Sequence, residues 1–185
     1  MNDPSLVFTL LFSALLVLGL LTKFYLATRQ IRHVAQHRNQ VPAAFASTIT
    51  LAAHQKAADY TMAKARLGML EMAFASALLL GWTLLGGIDL LNRAIVNSGL
   101  TAYVSLVPLL VLLAAFGLIS GLLDLPFTLY KTFRLEERFG FNKMTFKLWL
   151  ADLVKSTGVG IVVGLPIVAL ILWLMGSAGS LWWLW

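Results

Sequence analysis

Apolar residues along this chain fall in long continuous runs, with neither the stripe of a soluble helix nor the alternation of a strand. Leu6–Leu26, Leu67–Leu91, a third run from about Leu100 to Leu125 and a fourth from about Thr157 to Met175 each come close to the ~20 residues that cross hydrocarbon as a helix. Backbone groups in lipid must be satisfied within their own segment, so the pattern predicts an all-α polytopic membrane bundle with four full transmembrane helices. Leu181-Trp182-Trp183-Leu184-Trp185 reads as the start of a fifth, its aromatic rings suited to a membrane interface. Asp3, and no Lys or Arg, precedes the first run, so that run reads as a retained helix and not as a cleaved signal peptide.

Two long polar segments, 27–66 and 126–155, separate the runs. In the first, Ala27–Arg38 predicts a short basic helix along the membrane surface, with Ile31 and Val34 towards lipid, ended by Val41-Pro42. Ser47 or Thr48 is then positioned to cap a helix continuing through Lys64 into the second span; unbroken to Leu90, it would be one rod that projects into the cytosol. In the second segment Glu136 and Glu137 stand late in a helix, Gly140 suits a left-handed stop, and Asn142 or Thr145 can cap the next helix. The two projections on one face predict a platform for a cytosolic domain. Pro108 and Pro166 fall inside the third and fourth runs and predict kinks, while Gly117/Gly121 and Gly160/Gly164 have the spacing of close helix approach.

Composition sharpens this picture. Charged residues make up 12% of the 185, against roughly 25% in a soluble domain, and hydrophobic residues 59%. The net charge of +6 does not point to nucleic acid, because its placement is a membrane signature. Of 14 basic residues, Lys23, Arg29, Arg32, Arg38, Lys56, Lys64 and Arg66 lie within 23–66 and Lys131, Arg134, Arg138, Lys143, Lys147 and Lys155 within 126–155; only Arg93 lies elsewhere. This positive-inside pattern puts the N-terminus outside (the periplasm, if bacterial) and both long segments in the cytosol. With no cysteine, disulfides, thiolate metal sites and cysteine nucleophiles are excluded.

Candidate chemistry is sparse. His33 and His37 share a helical face at metal-ligand spacing, but Val34 stands where a glutamate base would, no carboxylate is near in sequence, and the surroundings are basic; solvated or headgroup-facing histidines are expected. Asp89 and Arg93 predict an i,i+4 pair, and Glu71 a boundary carboxylate paired with a neighbour such as Arg66. Asp124 sits at a boundary too. Glu136 and Glu137 project about 100° apart on a helix, poor geometry for shared acid–base work, and predict a hairpin salt-bridged to Arg134, Arg138 and Lys143. No internal repeat and no polar group at a span centre favours a transporter.

Tyr130-x-Thr132-Phe133-x-x-Glu136-Glu137-x-Phe139-Gly140-Phe141-Asn142-Lys143-x-Thr145, followed by Asp152 and Lys155, resembles the signature of the zinc-dependent CAAX prenyl endopeptidases, and of the N-terminal membrane domain of their bacterial relatives in particular. His54-Gln55-Lys56-Ala57-Ala58-Asp59-Tyr60-Thr61, with Lys64 and Arg66, is similar to the segment before that family's second span. The resemblance implies that residues 1–185 form one membrane domain. It also implies that the zinc-binding helix, with its two histidines and glutamate base, belongs to a later catalytic domain. In such an enzyme zinc activates a water for attack on the peptide carbonyl. Implied partners are the lipid bilayer, that C-terminal catalytic domain and lipidated or membrane protein substrates; zinc is expected in the parent and no cofactor in this chain. The competing expectation, from a different class, is a stand-alone membrane scaffold or binding protein without peptidase chemistry.

Overall fold

The computed structural model describes residues 4–99 and 106–177. All regular structure among them is helical, and four helices are long and apolar enough to cross a membrane. The expected fifth span at Leu181–Trp185 lies outside the described residues. The chain divides into two compact units, one of residues 1–86 with 126–142 and one of residues 87–125 with 143–185.

The first unit is built on two antiparallel helices. Helix α1, Pro4–Gln36, and helix α2, Leu51–Thr83, are 33 residues each. At ~1.5 Å per residue each extends ~50 Å, well beyond the ~30 Å of hydrocarbon. Arg38 meets Asp59 at one end, while Leu15, Leu16 and Gly19 lie beside Ser76 and Leu79 further along. The expected separate surface helix at Ala27–Arg38 does not form: with no Gly or Pro between Leu20 and Val41, nothing interrupts helix propagation, and the basic stretch simply continues α1. A 3-10 turn at Ala43–Phe45 follows Pro42.

The cap of α2 is Thr50 and not Ser47 or Thr48: its backbone is extended and its hydroxyl accepts from the Ala53 amide at 3.2 Å. Nor does α2 run to Leu90. The amides of Leu84 and Leu85 both donate to the Leu80 carbonyl, and Gly86 takes φ +79°, a left-handed stop that a side chain would resist.

The Pro126–Asn142 segment completes this unit. Its first five residues end helix α4, Val107–Tyr130, which passes straight through Pro126 and into a π-helical turn at Lys131–Glu136. Proline lacks the amide for the preceding turn, and a widened turn just beyond it re-spaces the ladder. The helix then stops as its residues dictate. Gly140, at φ +71°, donates to the Glu137 carbonyl at 2.9 Å and Phe141 to the Glu136 carbonyl at 2.9 Å, the paired bonds of a Schellman stop.

The second unit contains helix α3, Gly87–Asn97, the Val107–Leu125 part of α4, and helix α5, Phe146–Ser177. Asp89 and Arg93 form the expected i,i+4 pair at 2.6 Å, but on α3 and not on the second membrane helix. Pro108 sits in the first turn of α4, where its missing amide costs nothing, so the kink expected there has no cause. Thr145 is the residue that caps α5, its hydroxyl accepting from the Leu148 amide at 3.3 Å. The helix therefore begins well before Thr157, and Pro166 lies inside it. A side chain added at Gly117, Gly121, Gly160 or Gly164 would meet no neighbour within 4 Å, so these glycines do not mark a close helix crossing among the described residues.

No residue of α1, α4 or α5 is buried, and large apolar side chains such as Phe8, Leu122 and Val162 are outward. In water that surface would be untenable. In lipid it is the expected exterior of an integral membrane protein.

Candidate functional site

The described core is small and lies where α2 meets the hairpin. Leu67 of α2, Leu135 of the π turn and Phe139 are buried together, with Tyr60, Ala63 and Phe127 packed around them. Leu135 and Phe139 are four apart and so share the helix face turned to α2.

Outward from this core the contacts become aromatic and then polar. The Tyr60 ring meets Phe139 edge-on at 5.4 Å and Phe141 at 4.8 Å. Lys56 lies over Phe141 at 5.5 Å, Lys64 over Tyr60 at 5.9 Å, and Arg138 over Phe139 at 5.8 Å. Gly140 leaves room for Lys56, whose ammonium would stand 3.6 Å from a Cβ at that position. Such interleaving of cations with rings contributes to stability even at a wet surface.

A second set of bonds ties the start of α2 to the end of α1. Arg38 grips Asp59 with both arms of its guanidinium, Nε to Oδ1 at 2.7 Å and Nη2 to Oδ2 at 2.8 Å. These hydrogen bonds to the carboxylate raise the Arg38 pKa above its ordinary value. Gln55 donates to Asn39 at 3.0 Å, and the His54 ring nitrogen Nε2 lies 3.0 Å from the His37 carbonyl.

His54, Gln55, Lys56, Asp59 and Tyr60 therefore all act in one clasp, closed on Phe139–Phe141 from one side and on His37–Asn39 from the other. Arg66 and Tyr130 line a cleft beside it, with Arg138. Thr132, Phe133 and Glu136 are half-buried in the π turn. The salt-bridged hairpin expected from the sequence is not what holds this segment: among the described residues neither Glu136 nor Glu137 forms an ion pair, and Glu71 does not pair with Arg66. Both glutamates serve through their main-chain carbonyls, and apolar packing replaces the anticipated charge network. Lys143, Thr145, Asp152 and Lys155 belong to the second unit, where Thr145 has its capping role and Lys143, Asp152 and Lys155 are exposed. Arg38, Leu67 and Leu135 were outside the anticipated set. The available signal was the four-residue spacing of Leu135 and Phe139 and the Arg/Asp pairing of the two ends of the α1–α2 connection.

The arrangement does not fit a metal. The His33 and His37 rings lie 4.3 Å apart, but His37 Nδ1 is 2.9 Å from the His33 carbonyl, and no cluster of three or more His, Asp or Glu suited to a metal occurs among the described residues.

Three comparisons place the chain. Residues 30–185 match the family described as CAAX prenyl protease N-terminal, five membrane helices. CAAX prenyl protease 1 of Saccharomyces cerevisiae is 27% identical over 179 residues, 93% of this chain and 39% of that protein; the CAAX prenyl protease 1 homolog of Oryza sativa is 40% identical over 83 residues, 45% of this chain and 20% of that protein. The crystal structure of S. mikatae Ste24p superposes with a TM-score of 0.84 at 27% identity, covering 95% of this chain and 40% of that one. The chain thus spans well under half the length of these proteins. The matched region contains both motif blocks and the clasp they build, and the chain belongs to the CAAX prenyl protease N-terminal family.

Proposed function

We propose that this chain is the membrane part of a zinc metalloendopeptidase of the CAAX prenyl protease type. In this reading it forms the wall of a membrane chamber that admits an apolar or lipid-anchored segment, and it holds a C-terminal catalytic domain at the membrane surface. The observation that supports the reading best is the clasp. Two motif blocks far apart in sequence close on each other around Leu67, Leu135 and Phe139, a packed spot at the end of the apolar run of α2 that adjoins the polar segment. A bundle that served only to sit in lipid would not need this packed end.

Zinc belongs, in this reading, to the catalytic domain. No His-Glu-x-x-His occurs in the 185 residues, so cleavage is not assigned to this polypeptide by itself. The basic segments face the cytosol and the connection carrying Arg93 faces outward, in a bacterial inner membrane. The test is zinc content and cleavage of a farnesylated CAAX-type peptide, measured on the 185-residue chain and on the longest product of its gene. About one zinc per chain and cleavage in the longer product only is the expected result. A longer product that is metal-free and inert overturns the reading in favour of a scaffold.

A further inference from the structure

A cleft of about 450 Å³ opens beside the Leu67–Leu135 contact. That volume falls within the ~300–1,000 Å³ typical of small-molecule sites. Leu67, Leu70 and Phe127 make its wall apolar, while Arg66, Arg138 and Tyr130 add two guanidinium groups and a phenol. Leu70 and Tyr130 are both more than half exposed, so the cleft is open to the exterior beside the apolar run of α2 that begins at Leu67.

The two arginines distinguish this cleft from an ordinary gap between helices. Neither forms an ion pair among the described residues. Arg138 feels Asp59 electrostatically, but both oxygens of that carboxylate are already bonded to Arg38. Two cations in one apolar-walled cleft raise the local potential, and a planar guanidinium matches a phosphate with paired hydrogen bonds. Anionic headgroups bind in basic pockets between membrane helices for this reason.

We propose that the cleft is a site for one anionic phospholipid. The phosphodiester sits between Arg66 and Arg138, the Tyr130 hydroxyl donates to a headgroup oxygen, and one acyl chain lies against Leu70 and Phe127. The bound lipid joins the end of α4 to α2 and so braces the hairpin from the membrane side.

The 185-residue chain, purified in a neutral maltoside detergent, would be mixed with phosphatidylglycerol and phosphatidylcholine of identical acyl chains and examined by native mass spectrometry. One phosphatidylglycerol retained in about twenty-five-fold preference is expected, since each of the two arginines near the surface contributes about fivefold. Arg66→Gln with Arg138→Gln should abolish the preference, and Arg66→Lys with Arg138→Lys should keep most of it. Leu70→Trp, which fills the apolar half without touching charge, should lower retention of phosphatidylglycerol and leaves the proposal testable if the glutamine pair fails to fold. Equal retention of the two lipids by the native chain overturns the proposal, as does an unchanged preference in the folded glutamine pair. Displacement of phosphatidylglycerol by millimolar inorganic phosphate, or by an apolar peptide with a free C-terminal carboxylate, assigns the cleft to that ligand and overturns it equally.

Discussion

Phe139→Ala removes the centre of the clasp. The ring is 9% exposed, packs with Leu67 and Leu135, and meets Tyr60 edge-on at 5.4 Å. Truncating a buried phenylalanine costs ~3–5 kcal/mol, and the lower figure applies here because the cluster is small and borders an open cleft. A loss of ~3 kcal/mol is about two decades in an equilibrium constant. The cluster is local, so the loss should appear as opening of the hairpin away from α2 and not as unfolding of the α1–α2 pair. Amide hydrogen exchange in detergent micelles reads this directly. Exchange from Leu135 to Phe141 should quicken about a hundredfold in Phe139→Ala, and by less than about tenfold in Phe139→Leu, which keeps most of the apolar volume. Amides of Leu15–Leu20 should keep their rates. A change under about threefold in the hairpin, or an equal change in α1, would refute the claim that this ring holds the segment down.

Other substitutions test the remaining parts. Gly140→Val should destabilise by ~1–2 kcal/mol more than Gly140→Asn in thermal unfolding, because φ +71° strains a β-branched residue most. Thr50→Ala should cost ~1 kcal/mol and Thr50→Ser very little, since the serine hydroxyl can still accept from Ala53. Arg38→Lys loses the two-armed grip on Asp59; both side chains are more than a third exposed, so the melting temperature should drop slightly at low salt and not at all near 1 M salt. Because the chain has no cysteine, single introduced cysteines report topology cleanly. Asn92→Cys should react with an impermeant maleimide on intact cells and Gln40→Cys only after permeabilisation, and the reverse pattern would contradict the proposed orientation.

Long apolar runs made the helical membrane fold legible, because in lipid hydrophobicity and length decide the matter almost alone. Helix ends were legible where a residue has special backbone freedom, as Gly140 has, and illegible where several residues compete. Ser47, Thr48 and Thr50 are all competent caps, and only the three-dimensional path selects Thr50. Gly86 was a visible stop that the continuous hydrophobicity of Leu67–Leu91 masked. Pro126 looked like a boundary and is instead absorbed by the widened turn after it, a compensation that no local pattern announces. The motif residues of 54–66 and 130–142 were visible as blocks by resemblance, but the reason for them was not. Charge suggested salt bridges for Glu136 and Glu137, whereas the structure uses Leu135, Phe139 and Tyr60, because burying apolar and aromatic area gains more there than pairing exposed ions.

The central claim is that the clasp holds the catalytic part of a longer enzyme in working position. The most direct measurement is kcat/KM for a farnesylated peptide, with zinc content alongside, on the longest gene product with and without Tyr60→Ala and Phe139→Ala together. The expected result is a loss of at least about tenfold, what ~1.4 kcal/mol of lost positioning would give, with about one zinc still bound. An unchanged rate in a variant whose hairpin exchanges freely would contradict it.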